Sequence, residues 1–196
     1  TMSQQLILPI NDAKLTASWK TLSYRVRFGF EHYGVDMVSS TGQSLVYASG
    51  NGTVLASGFD NILGNYLVIR YDAARRPGFT GEVICRMFHF SSLLVRGGQR
   101  VTKDSKLGYY GNTGACSTGA HLHLEMDRDL AYPYYTPTLS GRSTRFLGKN
   151  YGAVDSTLDN PISWLHCKVS PPDNQRYTTA RNLFIRGEDR TIAEIL

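Results

Sequence analysis

The sequence predicts a mostly β fold, an antiparallel sheet of sandwich or barrel-like form with long loops. Runs rich in β-branched and aromatic residues alternate with glycine, asparagine and aspartate over residues 20–126. Breakers such as Gly50-Asn51-Gly52 and Gly64-Asn65 separate these runs, as is typical of all-β folds with short strands. The expected strands are Tyr24–Phe28, Leu45–Ala48, Thr53–Ala56, Tyr66–Tyr71, Glu82–Phe90 and His121–Met126.

Composition narrows the classes of partner. The chain has 196 residues and a formal net charge of +5, which favours an anionic partner such as nucleic acid, a membrane surface or an anionic cell-wall polymer. No nucleic-acid-binding motif is recognisable. No apolar run approaches the ~20 residues that a membrane span needs. We therefore expect neither a nucleic-acid partner nor a membrane span.

The three cysteines do not suggest a metal or redox site. Cys85, Cys116 and Cys167 leave at least one thiol unpaired, and none belongs to a C-x-x-C pair. We expect buried or idle thiols, and the sequence leaves their disulfide state open.

The segment His121–Met126 places two imidazoles side by side. In a strand, His121, His123 and Glu125 share one face, and the intervening Leu122, Leu124 and Met126 share the other. The apolar face is expected to pack on the core. The polar face either presents a metal site or is simply solvated.

A second polar group is His32-Tyr33-Gly34-Val35-Asp36. Its glycine and its β-branched and aromatic residues argue against a helix. Gly34 instead lets the chain bend so that His32 and Asp36 converge. One imidazole and one carboxylate form part of a normal zinc shell, although the same pair in isolation would more often be a hydrogen-bonded turn.

His89 is a weaker candidate. In the expected strand Glu82–Phe90 it falls on the face of Val83, Cys85 and Met87, which is typical of a core histidine bonded to the backbone. Together, however, the histidines predict a catalytic centre, because three protein ligands and an open position are the catalytic zinc arrangement. His32, Asp36 and one of His121 or His123 supply three ligands. The remaining histidines could then serve as general base or oxyanion stabiliser.

The order of these segments resembles the lysostaphin/staphylolysin-type zinc endopeptidases, whose fold is a small antiparallel sheet domain. The matching motifs are His32–Asp36, Phe88–Ser91 and Gly119–Glu125. The segments that frame them are Tyr47–Val54, Gly64–Ile69, Lys106–Gly114 and Asp159–Leu165. The sequence departs from the family at Phe88, Phe90 and Ala120, but it keeps all five polar positions.

The resemblance implies one Zn²⁺ per chain, held by His32, Asp36 and His123, with His89 and His121 as catalytic residues. It implies hydrolysis of peptide bonds in stem peptides or cross-bridges of bacterial peptidoglycan. Which histidine is the general base stays open. The alternative is a catalytically weak module of the same fold that binds the cell wall or activates a hydrolase. His166 lies outside every motif, and we expect it to be structural.

The resemblance also divides the chain. Residues 1–24 are expected to be an N-terminal extension, 25–167 the endopeptidase domain, and 168–196 a linker and a short, possibly helical tail of unknown role. The link at 127–158 is longer than usual and holds four tyrosines. It is expected either to select substrates or to cover a sheet edge.

The expected place of action is the cell wall, periplasmic or extracellular. The first residues show neither a basic segment nor a long apolar one, so no secretory signal is expected in this chain. Delivery by a phage, as an injected effector, or as a trimmed secreted protein would each fit. The oligomeric state and the bond that is cut stay open.

Overall fold

The computed structural model describes residues 2–29, 31–137 and 156–166 in full, and the backbone alone at 147–148, 167, 178–179 and 190–191. The strands in chain order are β1 Leu6–Ile7, β2 Ala13–Ala17, β3 Val35–Ser39, β4 Leu45–Tyr47, β5 Gly52–Asp60, β6 Gly64–Arg76, β7 Phe79–Leu93, β8 Arg100–Val101, β9 Lys106–Tyr110, β10 Leu122–Asp127, β11 Tyr135–Thr136, β12 Leu147–Gly148, β13 Leu158–Asp159, β14 Leu165–Cys167, β15 Thr178–Thr179 and β16 Arg190–Thr191. An α-helix, α1, spans Leu22–Phe28, and a 3₁₀ helix spans Pro161–Ser163.

Most of the described strands form one sheet, in the order β15-β2-β3-β10-β7-β6-β5-β8. Strand β13 pairs with β10, while β9 pairs with both β4 and β7. Every pairing in this sheet is antiparallel. The prediction of a mostly β, antiparallel fold is confirmed, and the sheet does not close into a barrel.

The main core lies on one face of the central strands. Leu122, Leu124 and Met126 of β10 are fully buried there. They pack in the same cluster as Leu6, Leu8 and Ile10 from the N-terminal segment and Trp164 from the closing segment. The N-terminal segment also adds β2 to the sheet beside β3. Residues 6–17 therefore belong to the same folded unit as the central strands.

The strand predicted at Tyr24–Phe28 is wrong, because these residues form most of helix α1. The helix ends at Gly29, whose left-handed backbone (φ 80°) lets its N–H donate to the Arg25 carbonyl oxygen at 2.8 Å. None of the helix residues is buried, so no alternating apolar face holds this segment in the sheet. Local capping therefore prevails over the β propensity of Tyr24, Val26 and Phe28.

The closing segment is fixed by a buried carboxylate. Asp159 accepts hydrogen bonds from the Trp164 indole N–H and from the Arg128 guanidinium, both at 3.0 Å. Its other oxygen pairs with Arg76 at 3.0 Å. These bonds attach the closing segment, which follows the long link, to the residues at the end of β10.

Of the linker and tail expected at 168–196, the structure describes the backbone of 178–179 and 190–191, and the rest lies outside the described residues. The helix considered for the tail falls largely there as well. The backbone of β15 pairs with β2, and that of β16 pairs with β14. No helix in the described part of the chain is long and apolar enough to cross a membrane.

Candidate metal centre and groove

Strand β10 presents the polar face that the sequence predicts. Leu122, Leu124 and Met126 lie in the main core. His123 and Glu125 lie on the opposite face and are hydrogen-bonded to each other at 3.1 Å. The alternation predicted for this segment is therefore confirmed.

The register between two strands brings Asp36 to His123. Strand β3 pairs antiparallel with β10, and Asp36 lies directly opposite His123. Residues opposite each other in such a pair place their side chains on the same face, within contact distance. Oδ1 of Asp36 is 3.0 Å from Nδ1 of His123. His32 reaches the same point from the segment before β3, where its Nε2 lies 3.4 Å from that Asp36 oxygen and 3.4 Å from Nδ1 of His123.

These spacings fit a metal ion. In a tetrahedral zinc shell with bonds of about 2.0–2.1 Å, neighbouring ligand atoms lie about 3.3 Å apart. The three separations among His32, Asp36 and His123 are 3.0, 3.4 and 3.4 Å. The three side chains can therefore hold one metal ion together, and a tetrahedral shell would keep a fourth position open.

For the two candidate ligand histidines, the contact of the ring nitrogen outside the cluster indicates which nitrogen carries a proton. Nδ1–H of His32 donates to the Ser18 carbonyl oxygen at 3.0 Å, because a carbonyl can only accept. Nε2–H of His123 donates to the Glu125 carboxylate at 3.1 Å. When the rings are neutral, the form that binds a metal ion, the lone pair of the second nitrogen in each ring faces the cluster of His32, Asp36 and His123. Such outer partners fix the ring orientation of metal-binding histidines.

Burial and charge act together at the centre. Burial raises the pKa of the Asp36 carboxyl, but hydrogen bonds from His123 and His32 outweigh it and hold this pKa far below its usual range. Burial lowers the pKa of His123, whereas the Asp36 and Glu125 carboxylates raise it to about 9. Asp36 is thus a carboxylate, which is the form that a metal ion binds.

His89 is not on the face that strand parity predicts. The pairing of β6 with β7 shifts register between Asn65 and Leu67, which face Phe90 and Met87, so β7 carries one extra residue there. His89 takes up the irregularity with a left-handed backbone, φ 73°. As a result Phe90 enters the main core, and His89 turns to the opposite face, which carries Asp36 and His123.

Two further imidazoles flank the cluster. Nδ1–H of His89 donates to the Thr113 carbonyl oxygen at 2.8 Å, and Nδ1–H of His121 donates to that of Gly119 at 2.6 Å. Their rings are 5.0 Å apart between centroids. Nε2 of His121 lies 3.6 Å from Oδ1 of Asp36. Burial lowers the pKa of His89 to about 4, so this ring is neutral at neutral pH.

The cluster opens into a groove of about 390 Å³. One wall is helix α1 with the end of β2, and the other is the loop before β10. The lining residues are Thr16, Ala17, Thr21, Ser23, Tyr24, Arg27, Phe28, Asp36, Val38, His89, Cys116, Thr118, Gly119, Ala120, His121 and His123. Tyr24 stacks on the His32 ring with centroids 4.4 Å apart. Four of the five predicted polar residues therefore meet in one groove, and His32 is buried directly behind it.

Sequence reasoning missed the groups that support this site. Arg86 is fully buried on the site face of β7 and bonds the Glu125 carboxylate at 2.9 Å. Phe88 stacks on His123, with ring centroids 5.2 Å apart and planes within 4°. A charged residue inside the apolar run Val83–Phe90 was the available signal for Arg86. Nothing in the sequence indicated the helix that brings Tyr24 over His32.

His166, Cys85 and Cys116 are not part of the group formed by His32, Asp36 and His123. His166 is buried, with Nδ1 close to the carbonyl oxygens of Leu6 and Trp164 at 3.3 and 3.1 Å. This position suits the structural role expected for it. Cys85 is buried in the core and Cys116 is partly exposed in the groove, both as free thiols. The Cys167 side chain lies outside the described residues.

The fold and this centre fit a metal-dependent enzyme, because three candidate ligands with a position left open are typical of catalytic metal sites. The model of peptidase family M23 matches residues 30–133, which is more than half of the chain. The chain belongs to this family.

Similar proteins agree with this assignment. The chain is 36% identical over 95 residues to peptidoglycan DD-endopeptidase ShyA of Vibrio cholerae. This alignment covers 48% of the chain and 20% of ShyA. It thus spans about a fifth of that relative. A solved zinc-containing peptidase of Vibrio cholerae is 26% identical with a TM-score of 0.50, covering 63% of the chain and 37% of that structure. The solution structure of lysostaphin shares the fold, at 21% identity and a TM-score of 0.54 over 82% of the chain and 54% of lysostaphin.

Proposed function

We propose that the chain is a zinc endopeptidase that binds one Zn²⁺ through His32, Asp36 and His123 and cuts peptide bonds in the stem peptides or cross-bridges of bacterial peptidoglycan. The observation that carries this proposal is the convergence of three ligand atoms, 3.0–3.4 Å apart, beside two other imidazoles. Membership in peptidase family M23 and the similarity to ShyA support the substrate class.

The chemistry divides between the metal and the two flanking histidines. A bound zinc ion supplies Lewis-acid polarisation of the scissile carbonyl and lowers the pKa of a water ligand. His89 and His121 each donate Nδ1–H to a backbone carbonyl, so each keeps an Nε2 lone pair for the groove. One of them takes the proton of the attacking water at its Nε2. The other can hydrogen-bond the developing oxyanion when its own Nε2 has taken up a proton from solvent.

The groove also suits an extended peptide. Its walls carry the hydroxyls of Thr16, Thr21, Ser23 and Thr118, which can bond to a peptide backbone. Such a substrate lies outside the cytoplasm, so we propose that the protein acts on the cell wall, in the periplasm or outside the cell.

The test combines metal analysis with wall digestion. The wild-type protein is expected to bind one zinc per chain, to release peptides from purified peptidoglycan, and to lose activity when the metal is chelated. His123→Ala should lose both zinc and activity. His121→Ala and His89→Ala should keep zinc and lose about 10²–10³-fold in turnover.

Other outcomes would contradict the proposal. A protein that is fully active without metal would overturn it. If His121→Ala lost zinc while His123→Ala kept it, the assignment of the two residues would be reversed. If the wild-type protein bound the cell wall without releasing peptides, the alternative would hold, and the chain would be a cell-wall-binding or hydrolase-activating module of the same fold.

A further inference from the structure

Glu125 is the hub of a buried network behind the metal ligands. It lies two residues beyond His123 on β10 and is fully buried. Its Oε1 accepts the Nε2–H of His123 at 3.1 Å. Strand pairing places Arg86 directly opposite, and Nε of Arg86 donates to Oε2 of Glu125 at 2.9 Å. The carboxylate therefore faces the ligand histidine on one side and a buried cation on another.

The third contact to Glu125 comes from the link after β10. The hydroxyl of Thr136, also fully buried, donates to Oε1 of Glu125 at 2.7 Å and lies 3.0 Å from Oε2. The same link supplies the Pro133 carbonyl oxygen, which accepts from Nη1 of Arg86 at 3.0 Å. Nη2 of Arg86 bonds Asp127 at 2.8 Å. Both members of the Arg86–Glu125 pair are thus held by residues 133–136.

The described part of this link lies on the sheet, outside the groove. Tyr134 packs against the second buried cluster, which contains Phe88. Phe88 in turn stacks on the His123 ring. The groove wall includes none of the described residues of the link. One expectation from the sequence is that the link selects substrates. Residues 128–137 do not line the groove, so this part of the link does not form a substrate-selecting wall.

We propose that residues 128–137 are a positioning element of the metal centre, in which the Thr136 hydroxyl fixes Glu125 so that Glu125 orients His123. This inference rests on the proposed zinc site. A buried carboxylate that is bonded on several sides cannot rotate away from Nε2–H of His123. The ring is therefore held with its Nδ1 towards Asp36 and His32, and less ordering remains to be done when zinc binds.

The test removes a single hydroxyl. Thr136→Val keeps the shape of the side chain and loses the bond to Glu125, whereas Thr136→Ser keeps the bond. Thr157→Val is the matched control, because the buried Thr157 hydroxyl has no hydrogen-bond partner among the described residues. Zinc affinity is measured by competition with a chromophoric chelator, and the unfolding of each metal-free variant is measured in urea.

Thr136→Val is expected to weaken zinc binding by about tenfold, the lower end of the 10–100-fold range seen when a direct outer partner of a metal ligand is removed, because Thr136 acts through Glu125. The zinc affinity of Thr136→Ser should stay within a few-fold of the wild-type value, and that of Thr157→Val should equal the wild-type value. Glu125→Gln should also weaken binding. The Glu125→Gln/Thr136→Val double variant should lose less than the two single losses combined, because Thr136 acts through Glu125.

Three results would overturn the inference. One is unchanged zinc affinity in Thr136→Val, even if the metal-free protein is less stable. Another is an equal loss in Thr136→Val and Thr157→Val. The third is a double variant whose loss of zinc affinity equals the sum of the two single losses. If Thr136→Val folds poorly, Thr136→Ala replaces it in both the single and the double variant, and the same additivity test applies. A wild-type protein that binds no zinc would instead refute the proposed function.

Discussion

Gly34 lies directly against the imidazole of His123. A Cβ atom at position 34 would be 2.8 Å from Cε1 and 2.9 Å from Nε2 of that ring, and 2.7 Å from the Leu124 carbonyl oxygen. Gly34, between the proposed ligands His32 and Asp36, is therefore required by space, since any side chain would displace the proposed ligand His123 on another strand.

Gly34→Ala is expected to push the His123 ring away from both Glu125 and Asp36. Zinc affinity should fall at least tenfold, since the ring can no longer bond Glu125 and face the metal together. Overpacking should cost roughly 1–3 kcal/mol in the free energy of unfolding. Zinc titration and urea unfolding measure the two effects. Gly119→Ala is the control, because a Cβ there meets no atom within 4 Å. Equal zinc affinity in Gly34→Ala and wild type would contradict the expectation.

His89 combines a side chain with a proposed catalytic role and a backbone conformation that suits glycine. His89→Ala and His89→Gly should both lose turnover, because the imidazole is gone. At φ 73° alanine keeps the left-handed strain and glycine does not, so His89→Gly should be the more stable of the two by roughly 1 kcal/mol. Urea unfolding of the two variants checks this order. Equal stabilities would mean that the backbone at this position relaxes when the imidazole is removed.

Arg27 is a cation in the groove wall that pairs with no carboxylate among the described residues. We expect it to bind a substrate carboxylate. Arg27→Gln should raise KM by up to about fivefold for a stem peptide with a free carboxylate, the effect of one exposed ion pair, and should leave the matching carboxamide peptide unaffected. Steady-state kinetics on the two peptides measure this. Arg25→Gln is the control, since Arg25 pairs with Glu31 and lies outside the groove wall. An equal effect on both peptides would remove the charge explanation.

The two described thiols should differ in reactivity. Burial raises the pKa of Cys85 well above its usual range, and burial together with Asp60 raises that of Cys116. The thiolate is the reactive form, and its fraction at pH 8 is therefore small at both positions. Cys85 should stay unlabelled by iodoacetamide until the protein unfolds, while Cys116 is labelled slowly because it is partly exposed. Peptide mass mapping separates the sites, and rapid native labelling of Cys85 would contradict the burial.

Strand alternation and local motifs predicted a large part of the site. The alternation in His121–Met126 correctly separated the core face from the polar face of β10. The same rule placed His89 wrongly, because one extra residue in β7 inverts the alternation after Phe88. A bulge changes the face of a side chain without changing the residue types around it, so a pattern of period two cannot show it.

The sequence by itself determined the residue types available for the chemistry, the antiparallel sheet and the three segments that carry the candidate ligands. The tertiary structure decided which atoms meet. Asp36 faces His123 only because β3 and β10 pair in one register, and the link after β10 touches Glu125 only because it folds over the site face. Local propensity acts over a few residues, whereas these contacts join positions far apart in the chain and depend on the packing of the whole sheet.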